Sequence, residues 1–102
     1  MRPTTGMRLK ELRLAKQLYQ EQVAQIIGVN KSTVSSYEND MRQPPYDTLI
    51  KLARLYHVST DYLLGVTDTR SLDVRGLTEA EIDVISELVS IIAKKNDMLK
   101  KR

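Results

Sequence analysis

The chain has 102 residues, enough for one small domain with an appended element, and 41% of them are hydrophobic, enough to pack a core. It contains no cysteine, which excludes a disulfide framework, thiol chemistry and cysteine-ligated zinc and fits a reducing compartment. A net charge of +3 permits an anionic partner without pointing to one, while few glycines (4) and prolines (3), with no Trp or Phe, favour helices over an all-β fold.

The N-terminal stretch MRPTTGMRLKELR has no apolar run, so neither a signal peptide nor a membrane span is expected, and a cytoplasmic location is. Leu9, Leu12 and Ala15 recur at intervals of three, with Lys10, Glu11 and Arg13 on other faces, and predict a first amphipathic helix. A second is expected over about Gln20 to Ile27, with Val23, Ala24 and Ile27 on one side and Gly28 as its stop. Asn30 is a good N-cap for a third helix of about Lys31 to Asn39. Gln43-Pro44-Pro45 cannot continue it, because Pro44 restricts the residue before it and prolines lack donors. A fourth helix follows from about Tyr46 to Tyr56, burying Leu49, Leu52, Ala53 and Tyr56. Ser59 then caps a short fifth that runs through Leu63 and Leu64 to Gly65. Residues 66–76 are polar and aperiodic, and read as a linker. Thr78 and Glu81 form a capping-box pattern that opens a sixth helix to roughly Leu99. The expected fold is all-α, with a domain over residues 1–65, a linker over 66–76 and a C-terminal helix within 77–102.

The second and third helices carry the most specific pattern. A helix-turn-helix crosses two helices at a wide angle over a short turn that often contains glycine. Ala24 is small enough for close approach, Gly28 adopts positive φ without steric cost, and Val29, Val34 and Tyr37 supply the apolar underside. The run VAQIIGVNKSTVSSYEN, followed by PPYDTLIKLARLYHVSTDYLLG, resembles the Xre or phage-repressor (Cro-type) helix-turn-helix family over about residues 7–65. That resemblance implies a five-helix repressor-type domain whose third helix enters the major groove of double-stranded DNA. It also implies a buried structural pair, Arg13 with Glu38, tying the first helix to the end of the third. Gln17, Tyr19 and Asp40 depart from the family pattern, which favours Gly, a Ser or Thr N-cap, and Gly at those positions.

With Lys31 set at zero and about 100° per residue, Val34, Tyr37 and Glu38 cluster near about 240° to 340°. Ser32 and Ser36 lie opposite, flanked by Ser35 and Asn39. The resemblance places base contacts on Lys31, Ser32 and Ser36, with Ser35 beside them, and phosphate contacts on Gln20, Asn39 and Arg42. Lys31 can address guanine O6 and N7, whereas a serine hydroxyl donates or accepts and discriminates bases poorly. The window from Tyr19 to Gln43 holds two basic residues, Lys31 and Arg42, against three acidic ones, Glu21, Glu38 and Asp40, so charge alone does not mark a DNA surface.

In the last helix Ile82, Ile85, Val89, Ile92, Asn96 and Leu99 recur at 3-4-3-4-3 spacing, and Val84, Leu88 and Ile91 widen that seam. Such a face either packs on its own domain or pairs with a second copy. A homodimer is the expectation, because two-fold proteins of this type address half-sites about 34–36 Å apart. Asn96 suits parallel pairing. Acidic Glu79, Glu81, Asp83 and Glu87 followed by basic Lys94, Lys95, Lys100, Lys101 and Arg102 suit antiparallel pairing, or simply the helix dipole. No cofactor or metal is expected. An enzyme is disfavoured, since His57 is the only histidine and has no cysteine or second histidine to join it. The competing reading is an antitoxin-like or protein-interaction module with weak or no DNA binding. Control through protein partners or dimerisation is expected, as no separate ligand domain is visible.

Overall fold

The computed structural model describes residues 2–100, so Lys101 and Arg102 of the terminal basic cluster lie outside the described residues. Six α-helices and no strand occur among them, and none is long and apolar enough to cross a membrane. The chain divides into two compact units, the first ending at Leu72 and the second beginning at Asp73.

Helix α1 (Thr5–Ala15) starts where the Thr4 hydroxyl accepts the Met7 N–H at 3.1 Å. Its inward face is Gly6, Arg8, Leu9, Leu12 and Arg13, and Ala15 is exposed. The expected Leu9–Leu12–Ala15 stripe is therefore corrected. Six residues rotate a helix by about 240°, carrying Ala15 off the face, whereas four residues return Arg13 to within about 40° of Leu9. Helix α2 (Gln20–Ile27) ends at Gly28 with φ 76°, and both Gly28 and Val29 donate their N–H to the Ala24 carbonyl. A three-residue turn leads to α3 (Lys31–Glu38), with Asn39 as its C-cap. Helix α4 (Tyr46–Tyr56) closes at His57, which takes φ 54° while Val58 N–H reaches back to Ala53 O at 3.0 Å. The Ser59 hydroxyl caps α5 (Thr60–Leu64), and Gly65 (φ 79°) terminates it.

These five helices enclose one core. α1 packs on α3 and α5, α2 on α3 and α4, and α4 on α5. Val23 and Leu63 are wholly buried, with Leu9, Ile27, Leu52, Val34 and Tyr37 nearly so. Each such side chain contributes roughly 1.5–3 kcal/mol through burial. Tyr56 sits in this core, where burial and, secondarily, the negative charge of Glu38 push its phenol up to about 12. An acid that is harder to ionise when folded stabilises fully below its unfolded value, about 10, and that contribution is lost as pH rises to about 12. Alkaline unfolding followed by circular dichroism is therefore expected to begin within that window in the wild type. In Tyr56→Phe the slope there is expected to be shallower.

The segment after Gly65 remains part of the first unit. Val66 N–H bonds to Asp61 O at 2.9 Å, and Asp68 Oδ1 accepts from Arg8 Nη2 at 3.1 Å. The buried Arg8 guanidinium also donates to Pro3 O and stacks on the Tyr62 ring, which Arg70 approaches from a second position. An arginine with almost no access to water is thereby supplied with an acid, a carbonyl and an aromatic face, as buried charge requires. Residues 66–70, which the sequence presents as linker, hold three of those contacts.

The second unit contains α6 (Glu79–Lys100). Thr78 and Glu81 cap it reciprocally, with Thr78 N–H to Glu81 Oε1 at 2.9 Å and Glu81 N–H to Thr78 Oγ1 at 3.2 Å. Its 22 residues extend about 33 Å at the standard helical rise. None of them is buried. Ile82 and Ile85 are half-covered, whereas Leu88, Val89, Ile92, Asn96 and Leu99 are exposed.

Candidate nucleic-acid interface

The orientation of α3 is set from both ends. At its start, Asn30 Oδ1 accepts the Thr33 N–H at 2.9 Å, satisfying one of the donors a helix N-terminus leaves free. At its end, Glu38 receives Arg13 through two bonds, Nε to Oε2 at 2.7 Å and Nη2 to Oε1 at 3.0 Å. Arg13 Nη1 continues to Leu18 O at 2.9 Å, and Gln20 Nε2 donates to Glu38 Oε1 at 3.2 Å. The hydrogen bond that Arg13 donates to Glu38 raises its pKa above the ordinary value, so the guanidinium stays charged. Three helices thus meet on one carboxylate, and the side chain of Gln20 is partly committed to it.

Asp40 adds a second tie. It adopts φ 59° just beyond α3, where glycine is the easier residue, and turns its carboxylate onto the start of α1. Oδ1 accepts the Gly6 N–H at 2.9 Å and Oδ2 accepts the Thr4 hydroxyl. This explains an acid at that position: the side chain recovers in hydrogen bonds what the backbone gives up in strain. Gln17 also takes the left-handed conformation (φ 58°), so the tight exit from α1 persists without glycine. Tyr19 supplies no capping oxygen. Instead the Gln22 side chain returns to the Tyr19 N–H at 2.7 Å.

Lys31 projects from the first turn of α3 with its side chain largely exposed and its ammonium 3.9 Å from Glu21, a contact worth little in water. Ser32 is exposed, and its hydroxyl donates to Asn30 Oδ1 at 2.7 Å. Ser35 and Ser36 are half-buried, and Ser35 Oγ accepts from Asn39 Nδ2 at 3.3 Å. Arg42 is exposed beyond the helix, its N–H bonded to Ser36 O. Ser32, Ser36 and Asn39 therefore share the side of α3 opposite the buried Val34, Tyr37 and Glu38, while Lys31 is exposed at the first turn, in line with the Glu38 edge.

Folding also alters the charge balance. Of the three acids counted along this stretch, Glu38 is buried against Arg13, which leaves Glu21 and the exposed Asp40 beside α1. Lys10 of α1, distant in sequence, lines a cleft of about 490 Å³ together with Arg13, Tyr19, Gln20, Glu21 and Lys31. Lys10 is a basic residue of this face that the linear sequence did not single out. The surface that presents α3 is accordingly more positive than the count from Tyr19 to Gln43 implies, and such a field attracts polyanions.

Two helices packed on each other and joined over the Gly28 turn, with a polar outward face, constitute a helix-turn-helix, and the helix-turn-helix family model matches residues 9–63. The chain belongs to the helix-turn-helix family. The uncharacterized HTH-type transcriptional regulator YobD of Bacillus subtilis is 52% identical over 61 residues, 60% of this chain and 54% of that protein. The HTH-type transcriptional regulator ImmR, also of Bacillus subtilis, is 40% identical over 84 residues, 81% of this chain and 66% of that protein. The helix-turn-helix chain thus spans about half to two thirds of these relatives. Among solved structures, the P22 c2 repressor protein in complex with synthetic operator 9T superposes with a TM-score of 0.60 at 25% identity, covering 62% of this chain and 96% of that one.

Proposed function

We propose that this helix-turn-helix protein is a sequence-specific transcription regulator that binds operator DNA as a homodimeric repressor, with α3 in the major groove. The observation that carries this reading is the division of α3. Val34, Tyr37 and Glu38 are locked into the core, while Ser32 and Ser36 occupy the other side and Lys31 is exposed at the first turn. In this reading Lys31 donates to guanine O6 or N7, the serines line the groove floor, and Gln20, Asn39, Arg42 and Lys10 address phosphates. The names of YobD and ImmR and the operator bound to the P22 c2 repressor support it. A cytoplasmic location and control through a protein partner go with this function.

Lys31→Ala is expected to weaken binding to the DNA upstream of the protein's own gene by about 1–3 kcal/mol and to relax preference at one base pair per half-site. Gel shifts at two salt concentrations, on that DNA and on a scrambled duplex, measure both effects. Equal losses on the two duplexes reassign Lys31 to phosphate. No specific shift at low salt refutes the regulator and favours a protein-interaction module.

The homodimer rests on α6. Ile82, Ile85, Val89, Ile92, Asn96 and Leu99 follow a 3-4 spacing, with Leu88 beside them, on a helix that buries none of its residues, and a second copy supplies the matching surface. Sedimentation is expected to give a dimer for the full chain and a monomer for a version ending at Leu72, which keeps the Arg8–Asp68 contact. A monomeric full chain at micromolar concentration rules out this interface.

A further inference from the structure

The cap of α3 fixes the polarity of a serine that composition leaves ambiguous. Asn30 Oδ1 lies 2.9 Å from the Thr33 backbone N–H, which can only donate, so this atom is the amide oxygen and only accepts. Ser32 Oγ approaches the same oxygen at 2.7 Å, and Thr33 Oγ1 at 2.8 Å. Each hydroxyl carries one proton and the oxygen carries none, so both contacts are donations into the cap, sharing its two lone pairs with the Thr33 N–H. Ser32 is exposed, and what it turns outward is lone pairs. Ser35 has the opposite arrangement: Asn39 Nδ2 donates to it at 3.3 Å, which leaves its proton free to donate.

We propose that Ser32 is an acceptor-only contact and selects, at the base pair it faces, the exocyclic amine of adenine (N6) or cytosine (N4) over the carbonyls of guanine (O6) or thymine (O4). This rests on the reading of α3 as the helix that enters the major groove. The major groove offers both kinds of edge, so a contact of fixed polarity discriminates where a freely rotating hydroxyl does not. Donating to a carbonyl would first break the 2.7 Å bond to Asn30. The loss of one such bond corresponds to roughly tenfold in affinity. Lys31, a donor only, stands next to it. The first turn of α3 therefore presents a donor followed by an acceptor, a more restrictive pattern than lysine and serine suggest by residue type.

The test is selection of duplexes from a randomised library by the full chain, by Ser32→Ala and by Asn30→Gly, followed by titration on analogue duplexes. Alanine at an exposed helical position and glycine at an N-cap both preserve the fold. One position is expected to lose its preference in Ser32→Ala. Removing the amine there, with purine for adenine or a 2-pyrimidinone for cytosine, is expected to weaken the wild type about tenfold more than Ser32→Ala. Asn30→Gly, which frees the hydroxyl, is expected to tolerate either edge. Sensitivity to removal of the carbonyl instead, a Ser32→Ala preference identical to the wild type, or an unrelaxed Asn30→Gly overturns the assignment and leaves DNA reading standing. A library from which no protein enriches any sequence overturns both.

Discussion

Glu38→Ala is expected to lower the stability of the folded chain by about 3–5 kcal/mol in urea denaturation, the cost of breaking a buried ion pair from one side. The Glu38 side chain is 3% exposed and that of Arg13 10%, so water cannot replace the lost partner. Arg13 would keep only the Leu18 carbonyl, and Gln20 would lose its acceptor. The pair itself is not a large source of stability, because removing both charges from water offsets most of their attraction. The double variant Arg13→Met with Glu38→Leu is accordingly expected to recover most of the loss. It is still expected to bind DNA less well, since the bidentate geometry sets where the end of α3 sits against α1. A Glu38→Ala loss below about 1 kcal/mol would place the pair among ordinary surface contacts.

The parts of this fold that were legible in the sequence are those determined locally. Gly28 and Gly65 at positive φ, Asn30 and Ser59 as caps, and the Thr78–Glu81 box each act within four residues, so a linear pattern reveals them. The Arg13–Glu38 contact, 25 residues apart, came instead from the resemblance to repressor-type domains. Contacts of similar reach that lacked such a guide were not foreseen. Asp40 reaches Gly6 across 34 residues and Arg8 reaches Asp68 across 60, and neither spacing leaves a periodic trace. An arginine in an amphipathic pattern is read as an outward residue, yet Arg8 points inward because an acid, a carbonyl and an aromatic ring await it. The charge count from Tyr19 to Gln43 failed for the same reason. It treated Glu38 as a surface acid when it is buried against Arg13, and it could not bring Lys10 to the side of Lys31. Ser32 shows the limit at the site itself. Residue type allows its hydroxyl either role, and only the three-dimensional position of Asn30 removes one of them.

The same distinction decides the sign of a substitution at Gly6. By helix propensity alone, Gly6→Ala within α1 is expected to stabilise by about 1 kcal/mol, since glycine is among the poorest helix formers. Packing reverses that expectation. A Cβ at this position would lie 2.5 Å from Glu38 O, 2.7 Å from Tyr37 O and 2.8 Å from Asp40 Oδ1. Two of those atoms are backbone carbonyls at the end of α3, which cannot rotate away as a flexible side chain would. Relief requires α1 and α3 to separate, and separation also stretches the Gly6–Asp40 and Arg13–Glu38 bonds that hold them. Overpacking of this kind costs about 1–3 kcal/mol, and rigid neighbours put this site at the upper end. We therefore expect Gly6→Ala to destabilise by about 2–3 kcal/mol net in urea denaturation. DNA affinity is expected to fall even where the variant is fully folded, because the end of α3 moves with the contact. Gly6→Ala with unchanged or increased stability would mean that the two helices do not approach this closely in solution.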